Sequence, residues 1–249
     1  MSAASDGRPL RILVTGAAGS GTSTMAAALA RQVEGTAIEA DDFYWLPTVP
    51  PYRVRRPADA RHALAREALA APGPVVMAGS VMGWGAEIED AFDLVAFLRV
   101  PTALRLERLR EREMRRFGRV DEAFLKWAGD YDTGTTAGRD LASHEAWLGA
   151  RTAPHVRVVG RFSVERAVAK VMGALRARER LRPAVPGRPS PASWPSYAAA
   201  RPMASATDTS RRPFKSHRTY LSAPGISNSP TRRTLANKAA CSSWQAASR

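Results

Sequence analysis

Short apolar runs alternate with longer, charged or alanine-rich stretches over the first 180 residues of the chain. Five of these runs have the length of a β-strand, and the stretches between them have the apolar spacing of helices. The runs lie at residues 10–14, 36–38, 75–78, 92–100 and 156–159. Because strands that alternate with helices are joined by right-handed crossovers, the pattern predicts a three-layer α/β domain around a mostly parallel, five-stranded sheet.

The helical stretches differ in composition. They lie at residues 25–31, 58–70, 103–118, 139–150 and 163–180. The stretch 103–118 carries arginines and glutamates in alternation, which is typical of a solvated helix with ion pairs between successive turns. A second interpretation is that one or two of its arginines face a ligand.

The periodicity stops after Leu181. Residues 181–249 contain 11 Lys or Arg and one acid, whereas residues 1–180 contain 26 and 22, so most of the net charge of +14 belongs to the C-terminal segment. Its Pro, Ser, Ala and Arg content predicts a disordered tail. We therefore divide the chain into a domain at 1–180 and a basic tail at 181–249, which could bind nucleic acid weakly but has no expected dedicated role in it.

The composition excludes several classes of protein. The one cysteine, Cys241, permits no internal disulfide and no cysteine metal cluster. Residues 1–8 are polar and the longest apolar runs have strand length, so neither a signal peptide nor a membrane span is predicted. A soluble, cytoplasmic protein is the expectation, and the oligomeric state stays open.

A glycine-rich loop follows the first apolar run and precedes the first helical stretch. This order presents backbone N–H groups and a helix N-terminus to a phosphate, so the whole loop is the candidate nucleotide site. Its residues are Gly16, Ala17, Ala18, Gly19, Ser20, Gly21, Thr22, Ser23 and Thr24. The spacing fits the phosphate-binding motif G-x-x-x-x-G-K-[ST] at every fixed position but one, because Thr22 stands where lysine is expected.

The absence of the motif lysine removes one positive charge from the predicted nucleotide site. Backbone amides and the helix dipole still hold the α- and β-phosphates, and the Ser23 hydroxyl is still available to Mg²⁺. The lost point charge is the one near the β/γ oxygens, where charge develops in phosphoryl transfer. Either a basic side chain from elsewhere supplies this charge, or the site binds nucleotide and catalyses poorly.

A dinucleotide-binding fold is an alternative interpretation of the same loop, because residues 15–19 resemble the start of a short-chain dehydrogenase fingerprint. Glu39 and Asp41, about 20 residues further on, would suit its ribose-binding acid. That fingerprint, however, requires a third glycine where Thr22 stands, and no Tyr-x-x-x-Lys pair occurs in the sequence.

Two acids follow the second predicted strand. Ligands of open α/β sheets lie beyond the carboxyl ends of strands, so Asp41 and Asp42 are expected near the phosphates if this strand neighbours the first. Asp41 is, with Ser23, the candidate Mg²⁺ ligand. A solvated acidic turn is the alternative for either aspartate.

The segment 43–57 contains four aromatic residues, four prolines and three arginines. Tyr44 and Trp45 are candidates for stacking on a planar acceptor, and Arg53 and Arg56 for binding an anionic one. The alternative is a proline-braced loop that packs its aromatic rings onto the core.

These motifs together resemble the adenylate-kinase-like and uridine-kinase-like branch of the P-loop proteins over residues 10–178. Gly-Ser-Gly-Thr-Ser-Thr at 19–24 is similar to the loop of some archaeal cytidylate kinases, which also have threonine at the lysine position. Asp-Asp-Phe-Tyr at 41–44 resembles a segment of uridine and nicotinamide riboside kinases. With the segments 45–48 and 79–85, the chain looks like a bacterial group of P-loop ATP-binding proteins whose name implies no substrate.

The resemblance implies a nucleoside- or nucleotide-kinase-like fold with ATP and Mg²⁺ as cofactors and a lid region at about 103–138. It implies that a strand-end aspartate, for which we favour Asp42 over Asp41, is the base for the acceptor hydroxyl. It also implies a lid helix whose arginines, in the series Arg105, Arg108 and Arg112, clamp the transferred phosphate. We expect one of Arg108, Arg112 and Arg116 to stabilise the transferring phosphoryl group. The chain departs from adenylate kinases in lacking their Asp-Gly-x-Pro-Arg segment.

Two hypotheses about function follow. The first is transfer of the γ-phosphoryl of Mg-ATP to a small nucleoside- or nucleotide-like acceptor. The second is a nucleotide-binding switch or scaffold with little turnover, which is favoured by the missing lysine and by small residues where a Walker B aspartate would end the third strand.

Overall fold

A computed structural model of the chain describes residues 9–134 and 139–180, and these residues contain all five predicted strands. The strands are β1 (Arg11–Gly16), β2 (Thr36–Glu39), β3 (Val75–Ala78), β4 (Leu94–Arg99) and β5 (His155–Val159). They form one sheet in the order β2-β3-β1-β4-β5, in which every pairing is parallel. The prediction of an α/β fold is confirmed. The predicted tail at 181–249 lies outside the described residues.

Eight α-helices occur in the described residues. They are α1 (Thr22–Gln32), α2 (Ala40–Tyr44), α3 (Ala58–Leu69), α4 (Ala86–Glu89), α5 (Thr102–Phe117), α6 (Glu122–Gly129), α7 (Leu141–Gly149) and α8 (Val164–Arg180). A 3-10 turn, Asp130–Asp132, follows α6. None of these helices has both the length and the apolar composition that a membrane crossing would require.

The alternation of side chains along β1 explains the two cores of the domain. All six residues of this central strand are buried, as expected for a strand covered on both faces. Ile12 and Val14 belong to a core that also holds apolar residues of α1 and α8. Leu13 points into the opposite core, which includes residues of β3, β4 and α7. The sheet is therefore enclosed by helices on both faces.

The strand order corrects one expectation about the candidate acids. β2 does not neighbour β1, because β3 lies between them. The condition on which Asp41 and Asp42 were expected beside the phosphates is therefore not met. The order also differs from that of dinucleotide-binding folds, in which β1 pairs with β2, so the dehydrogenase alternative is not supported.

Candidate functional site

The glycine loop turns from β1 into the N-terminus of α1. Gly19 and Gly21 have φ angles of 81° and 92°, a region that side-chain-bearing residues rarely adopt. The N–H of Ser20 donates to the carbonyl of Ala17 across 3.1 Å and closes the turn. Gly21 is the N-cap of α1, and no side chain accepts a hydrogen bond from the first turn of that helix. The loop therefore presents uncapped backbone N–H groups, the usual basis of a phosphate site.

Helix α5 packs directly against this loop. A Cβ atom added to Gly19 would lie 2.6 Å from the carbonyl oxygen of Arg105 and 3.0 Å from Cγ of Leu109. A Cβ on Gly16 would lie 2.6 Å from the carbonyl oxygen of Leu98. Glycine is therefore required at 16 by space alone, and at 19 by both space and backbone conformation.

The predicted arginines of α5 have different surroundings. The guanidinium of Arg108 is close to the loop, since its Nη1 lies 4.0 Å from the position of a Cβ on Gly21. Arg112 stacks over the ring of Phe124 at 5.9 Å and pairs loosely with Glu113 at 3.6 Å. Arg116 is exposed near the end of the helix. Of the three, Arg108 is the one placed beside the position of the missing lysine.

Arg105 belongs to the same helix but is a buried structural residue. Its guanidinium donates to the carbonyl oxygens of Val100, Ala18 and Ala128, at 3.1, 3.3 and 2.9 Å. It also pairs with Asp132 at 3.0 Å. Arg105 therefore ties α5 to the glycine loop and to the end of α6, and its charge is already satisfied by protein groups.

Ser23, the serine of the motif, contacts a carboxylate that the sequence did not connect with it. Its Oγ donates to Oε2 of Glu39, the last residue of β2, across 3.1 Å. A hydroxyl and a carboxylate oxygen are hard ligands of the kind that Mg²⁺ prefers. Glu39 thus joins Ser23 as a residue suited to Mg²⁺, whereas no hydrogen bond joins the expected ligand Asp41 to Ser23 in the described residues.

Asp41 and Asp42 form the first turn of the short helix α2. Both side chains reach solvent, but the protein atoms around Asp41 displace much of its hydration, and this desolvation raises the pKa of its carboxyl. The charges of Arg139 and Arg112 oppose the rise, and the charge of Asp42 adds to it. Asp41 is therefore the aspartate that faces the arginines. Arg139 directly precedes Asp140, the N-cap of α7, and no sequence motif pointed to it.

The aromatic loop after α2 contains both structural and open side chains. Arg56 donates from Nε to the carbonyl of Phe43 across 3.0 Å, with longer contacts to two further carbonyls, so it holds the loop together. Arg53 is exposed. Tyr44 and Trp45 meet edge to face at 4.8 Å between ring centroids. Of the two predicted arginines, Arg53 is thus the one left accessible to a ligand.

A buried polar chain runs beneath the loop. His144 of α7, with no exposed surface, contacts Oγ1 of Thr15 through Nε2 at 3.0 Å and the hydroxyl of Tyr131 through Nδ1 at 2.8 Å. Burial lowers the pKa of His144 to about 4 and raises the pKa of Tyr131. A neutral imidazole therefore connects the end of β1 with the segment that follows α6.

Comparison with known proteins places these features in a family. A family model described as an AAA domain matches residues 12–124. The uncharacterized protein YqaC of Bacillus subtilis is 34% identical over 174 residues, which cover 66% of this chain and 96% of YqaC.

Solved structures also align with the chain at low identity. A gluconokinase from Sinorhizobium meliloti is 18% identical with a TM-score of 0.46, and covers 70% of this chain and 95% of its own. A shikimate kinase from Acinetobacter baumannii is 13% identical with a TM-score of 0.47, at 70% and 96% coverage. A deoxyadenosine kinase from M. mycoides is 14% identical with a TM-score of 0.43, at 68% and 100% coverage.

The match to YqaC covers nearly the whole of that protein. The glycine loop and the parallel sheet of this chain together form the fold of P-loop proteins. The chain is therefore a P-loop NTPase and belongs to the same family as YqaC.

Proposed function

We propose that the protein is a phosphotransferase that moves the γ-phosphoryl group of Mg-ATP to a hydroxyl of a small acceptor. The observation that carries this proposal is the position of Asp41. Asp41 lies two residues after Glu39, the last residue of β2, which contacts Ser23 of the phosphate loop. The positive charges of Arg112 and Arg139 act on its carboxylate. A carboxylate beside arginines and a phosphate loop is the arrangement that transfer to a hydroxyl requires.

The nucleotide is held by the loop from Gly16 to Ser23. The backbone N–H groups and the N-terminus of α1 bind the phosphates. Ser23 and Glu39 would hold Mg²⁺, which would neutralise phosphate charge. Arg108 supplies the positive charge that lysine gives in other P-loop proteins, because its guanidinium lies beside Gly21.

In the transfer step, a lone pair of the acceptor oxygen forms the new bond to the γ-phosphorus. The bond from that phosphorus to the β,γ-bridging oxygen breaks, and ADP leaves with the electron pair. The proton of the acceptor hydroxyl passes to the carboxylate of Asp41. A raised pKa makes Asp41 a better proton acceptor than an ordinary aspartate, which is why we assign it the role of base in preference to Asp42.

A nucleotide-binding switch is the second candidate, and a specific observation favours it. Thr22 replaces the motif lysine, and β3 ends at Ala78, followed by Gly79 and Ser80, where a Walker B aspartate would stand. A switch requires tight nucleotide binding but no efficient transfer. The two candidates therefore differ in turnover and agree in binding.

The test uses the full chain in two steps. Calorimetric titration measures the affinity for Mg-ATP, and ADP formation is then followed with nucleosides, nucleoside monophosphates, sugars and hydroxy acids added singly. ADP formation that depends on one acceptor supports the phosphotransferase. Tight Mg-ATP binding with no acceptor-dependent ADP from any class supports the switch, and failure to bind Mg-ATP overturns both.

A further inference from the structure

Tyr44, Trp84 and Arg61 form a cluster on the acceptor side of the site, which we name the aromatic–arginine cluster. The rings of Tyr44 and Trp84 are nearly parallel, with an interplanar angle of 18° and centroids 6.3 Å apart. Cζ of Arg61 lies 5.0 Å from the centroid of Tyr44 and 4.9 Å from that of Trp84. The guanidinium is thus held against two aromatic faces, which fixes its position.

Arg61 differs from three buried or half-buried arginines of the fold in having no oxygen partner for its guanidinium in the part of the chain that the structure describes. Arg11, Arg105 and Arg151 direct their guanidinium groups to carbonyl or carboxylate oxygens. Arg61 forms no side-chain hydrogen bond or ion pair within residues 9–134 and 139–180, and its Nε is buried without an acceptor, as are those of Arg112 and Arg176. The Nη donors of Arg61 have no protein acceptor in those residues either and are not among the buried atoms, so they are the donors that an oxyanion from outside the chain can pair with.

The cluster lies next to the proposed base. Tyr44 is three residues after Asp41 in α2, so both side chains leave the same face of that helix. Trp84 lies in the loop that follows β3, at the edge of the sheet where ligands of parallel sheets bind. This loop is held in place by the N–H of Gly85, which donates to Glu89 across 3.1 Å. Trp84 is only 4% exposed and belongs to the core of this face of the sheet, so it fixes Tyr44 and Arg61 from below, while the partly exposed Tyr44 and Arg61 are the members that a ligand can reach.

We propose that the acceptor carries an anionic oxygen group, a carboxylate or a phosphate, which pairs with Arg61 while the adjoining part of the acceptor packs on Tyr44. This inference rests on the proposed function, since it names the class of acceptor for that site. A guanidinium binds planar or tetrahedral oxyanions through two parallel N–H donors, and the aromatic faces keep it oriented for that purpose. Neutral nucleosides and polyols lack the group that Arg61 requires.

The experiment compares matched pairs of ligands with the wild type, Arg61→Gln and Arg66→Gln. The pairs are each nucleoside with its 5′-monophosphate and small polyols with the corresponding hydroxy acids, all in the presence of a non-hydrolysable ATP analogue and Mg²⁺. The unfolding temperature and calorimetric Kd are measured first, and ADP formation with ATP is measured second. Arg66 is the control because it lies in the same helix but is exposed and paired with Glu87 at 3.1 Å.

We expect the wild type and Arg66→Gln to bind the anionic member of at least one pair and not its neutral partner. Arg61→Gln should bind that ligand about 10- to 100-fold more weakly, the loss expected for a charged hydrogen-bond partner. Its affinity for Mg-ATP should stay within about twofold. Where turnover is measurable, KM for the acceptor should rise much more than kcat falls, which a merely structural defect would not produce.

The hydroxy acids test for a carboxylate and the 5′-monophosphates test for a phosphate, so the two series distinguish the two kinds of anionic group. Equal binding of neutral and anionic partners, equal loss in Arg61→Gln and Arg66→Gln, or no anion-dependent binding at all would overturn the inference. Turnover with a neutral acceptor that is unaffected by Arg61→Gln would overturn it while the phosphotransferase assignment stands. Anion binding without any ADP formation would leave the anion site supported and the phosphotransferase assignment refuted.

Discussion

Ser23 and Glu39 are joined by a hydrogen bond of 3.1 Å between Oγ and Oε2, although the strand that ends at Glu39 is separated from β1 by β3. The length of the glutamate side chain spans that separation. An aspartate at this position would be one methylene shorter. The contact brings a carboxylate to the phosphate loop in a chain whose third strand ends without one.

Glu39→Gln tests whether this carboxylate supports Mg²⁺ binding. We expect the gain in ATP affinity on adding Mg²⁺ to fall about 10-fold or more, since metal sites lose that much when a ligand or its partner is removed. ATP affinity in the presence of EDTA should not change, because the backbone of the loop is untouched. Calorimetry with and without Mg²⁺ measures both, and Glu34→Gln, an exposed glutamate after α1, is the control. An unaltered Mg²⁺ dependence would refute the role.

Arg108→Ala tests the substitute for the missing lysine. The rate of phosphoryl transfer should fall about 100-fold or more, the usual cost of removing one preorganised group that stabilises transition-state charge. Arg108→Lys should recover part of the rate, because lysine carries out this task in other P-loops. Steady-state ADP formation is the measurement. Arg110→Ala, on an exposed face of the same helix, should have little effect, and equal losses in both variants would count against Arg108.

Asp41→Asn and Asp42→Asn separate the two neighbouring aspartates. Asp41→Asn should abolish acceptor-dependent transfer and leave Mg-ATP binding largely intact, whereas Asp42→Asn should retain most of the activity. In the wild type, the rate should decline on the acid side through an ionisation above the ordinary aspartate range, since the pKa of Asp41 is raised by desolvation. The pH profile of kcat/KM measures this. The reverse pattern in the two variants would return the role of base to Asp42.

Two glycine substitutions should change stability in opposite directions. Gly19→Ala places a Cβ 2.6 Å from a backbone oxygen at a φ of 81°, so it should cost at least about 2 kcal/mol of unfolding free energy. Gly173→Ala, inside α8 with open space around it, should stabilise by about 0.5–1 kcal/mol through helix propensity and reduced chain entropy. Urea denaturation measures both. A tolerated Gly19→Ala would mean that α5 moves away from the loop more easily than its packing indicates.

His144 should make the stability of the domain sensitive to pH. Its folded pKa is about 4, against an ordinary 6.5, so between these values the unfolded chain binds a proton that the folded chain does not. Stability should therefore be complete above about pH 6.5 and fall by about 3 kcal/mol as the pH drops to about 4. His144→Gln preserves hydrogen bonding but does not titrate, so its stability should change less across this window. Urea denaturation at a series of pH values measures the unfolding free energy of both proteins. An identical pH dependence in the two would contradict the lowered pKa of His144 as its cause.

Much of the fold could be predicted because the strands are nearly continuous apolar runs between helical stretches. The order of the strands could not be predicted, because packing between distant residues decides whether β2 pairs with β1 or with β3. Helix α6 was not predicted, because it spans only Glu122–Gly129 and lies among glycines and acids. Its N-cap Asp121, which accepts a hydrogen bond from the N–H of Phe124, was the available signal.

The candidate site, like the fold, could be predicted only in part. The phosphate loop was evident because its chemistry depends on local spacing. Arg61 and Arg139 were not connected with the site, and Glu39 was considered only as the ribose-binding acid of the dehydrogenase alternative, because the position of each depends on tertiary structure. Arg56 and Arg105 show the converse: arginines near the site bind backbone carbonyls when a loop or helix end needs them, and sequence alone does not separate these from arginines that remain available.

The phosphate loop and the first turns of α5 pack so closely at Gly19 and the carbonyl of Arg105 that no space is left for a side chain between them. Leu109 adds a second point of attachment, one helical turn further on. Arg112 lies on the next turn of the same helix, so a substitution that pushes α5 away from the loop should also displace Arg112 and weaken transfer without touching a residue that contacts either substrate.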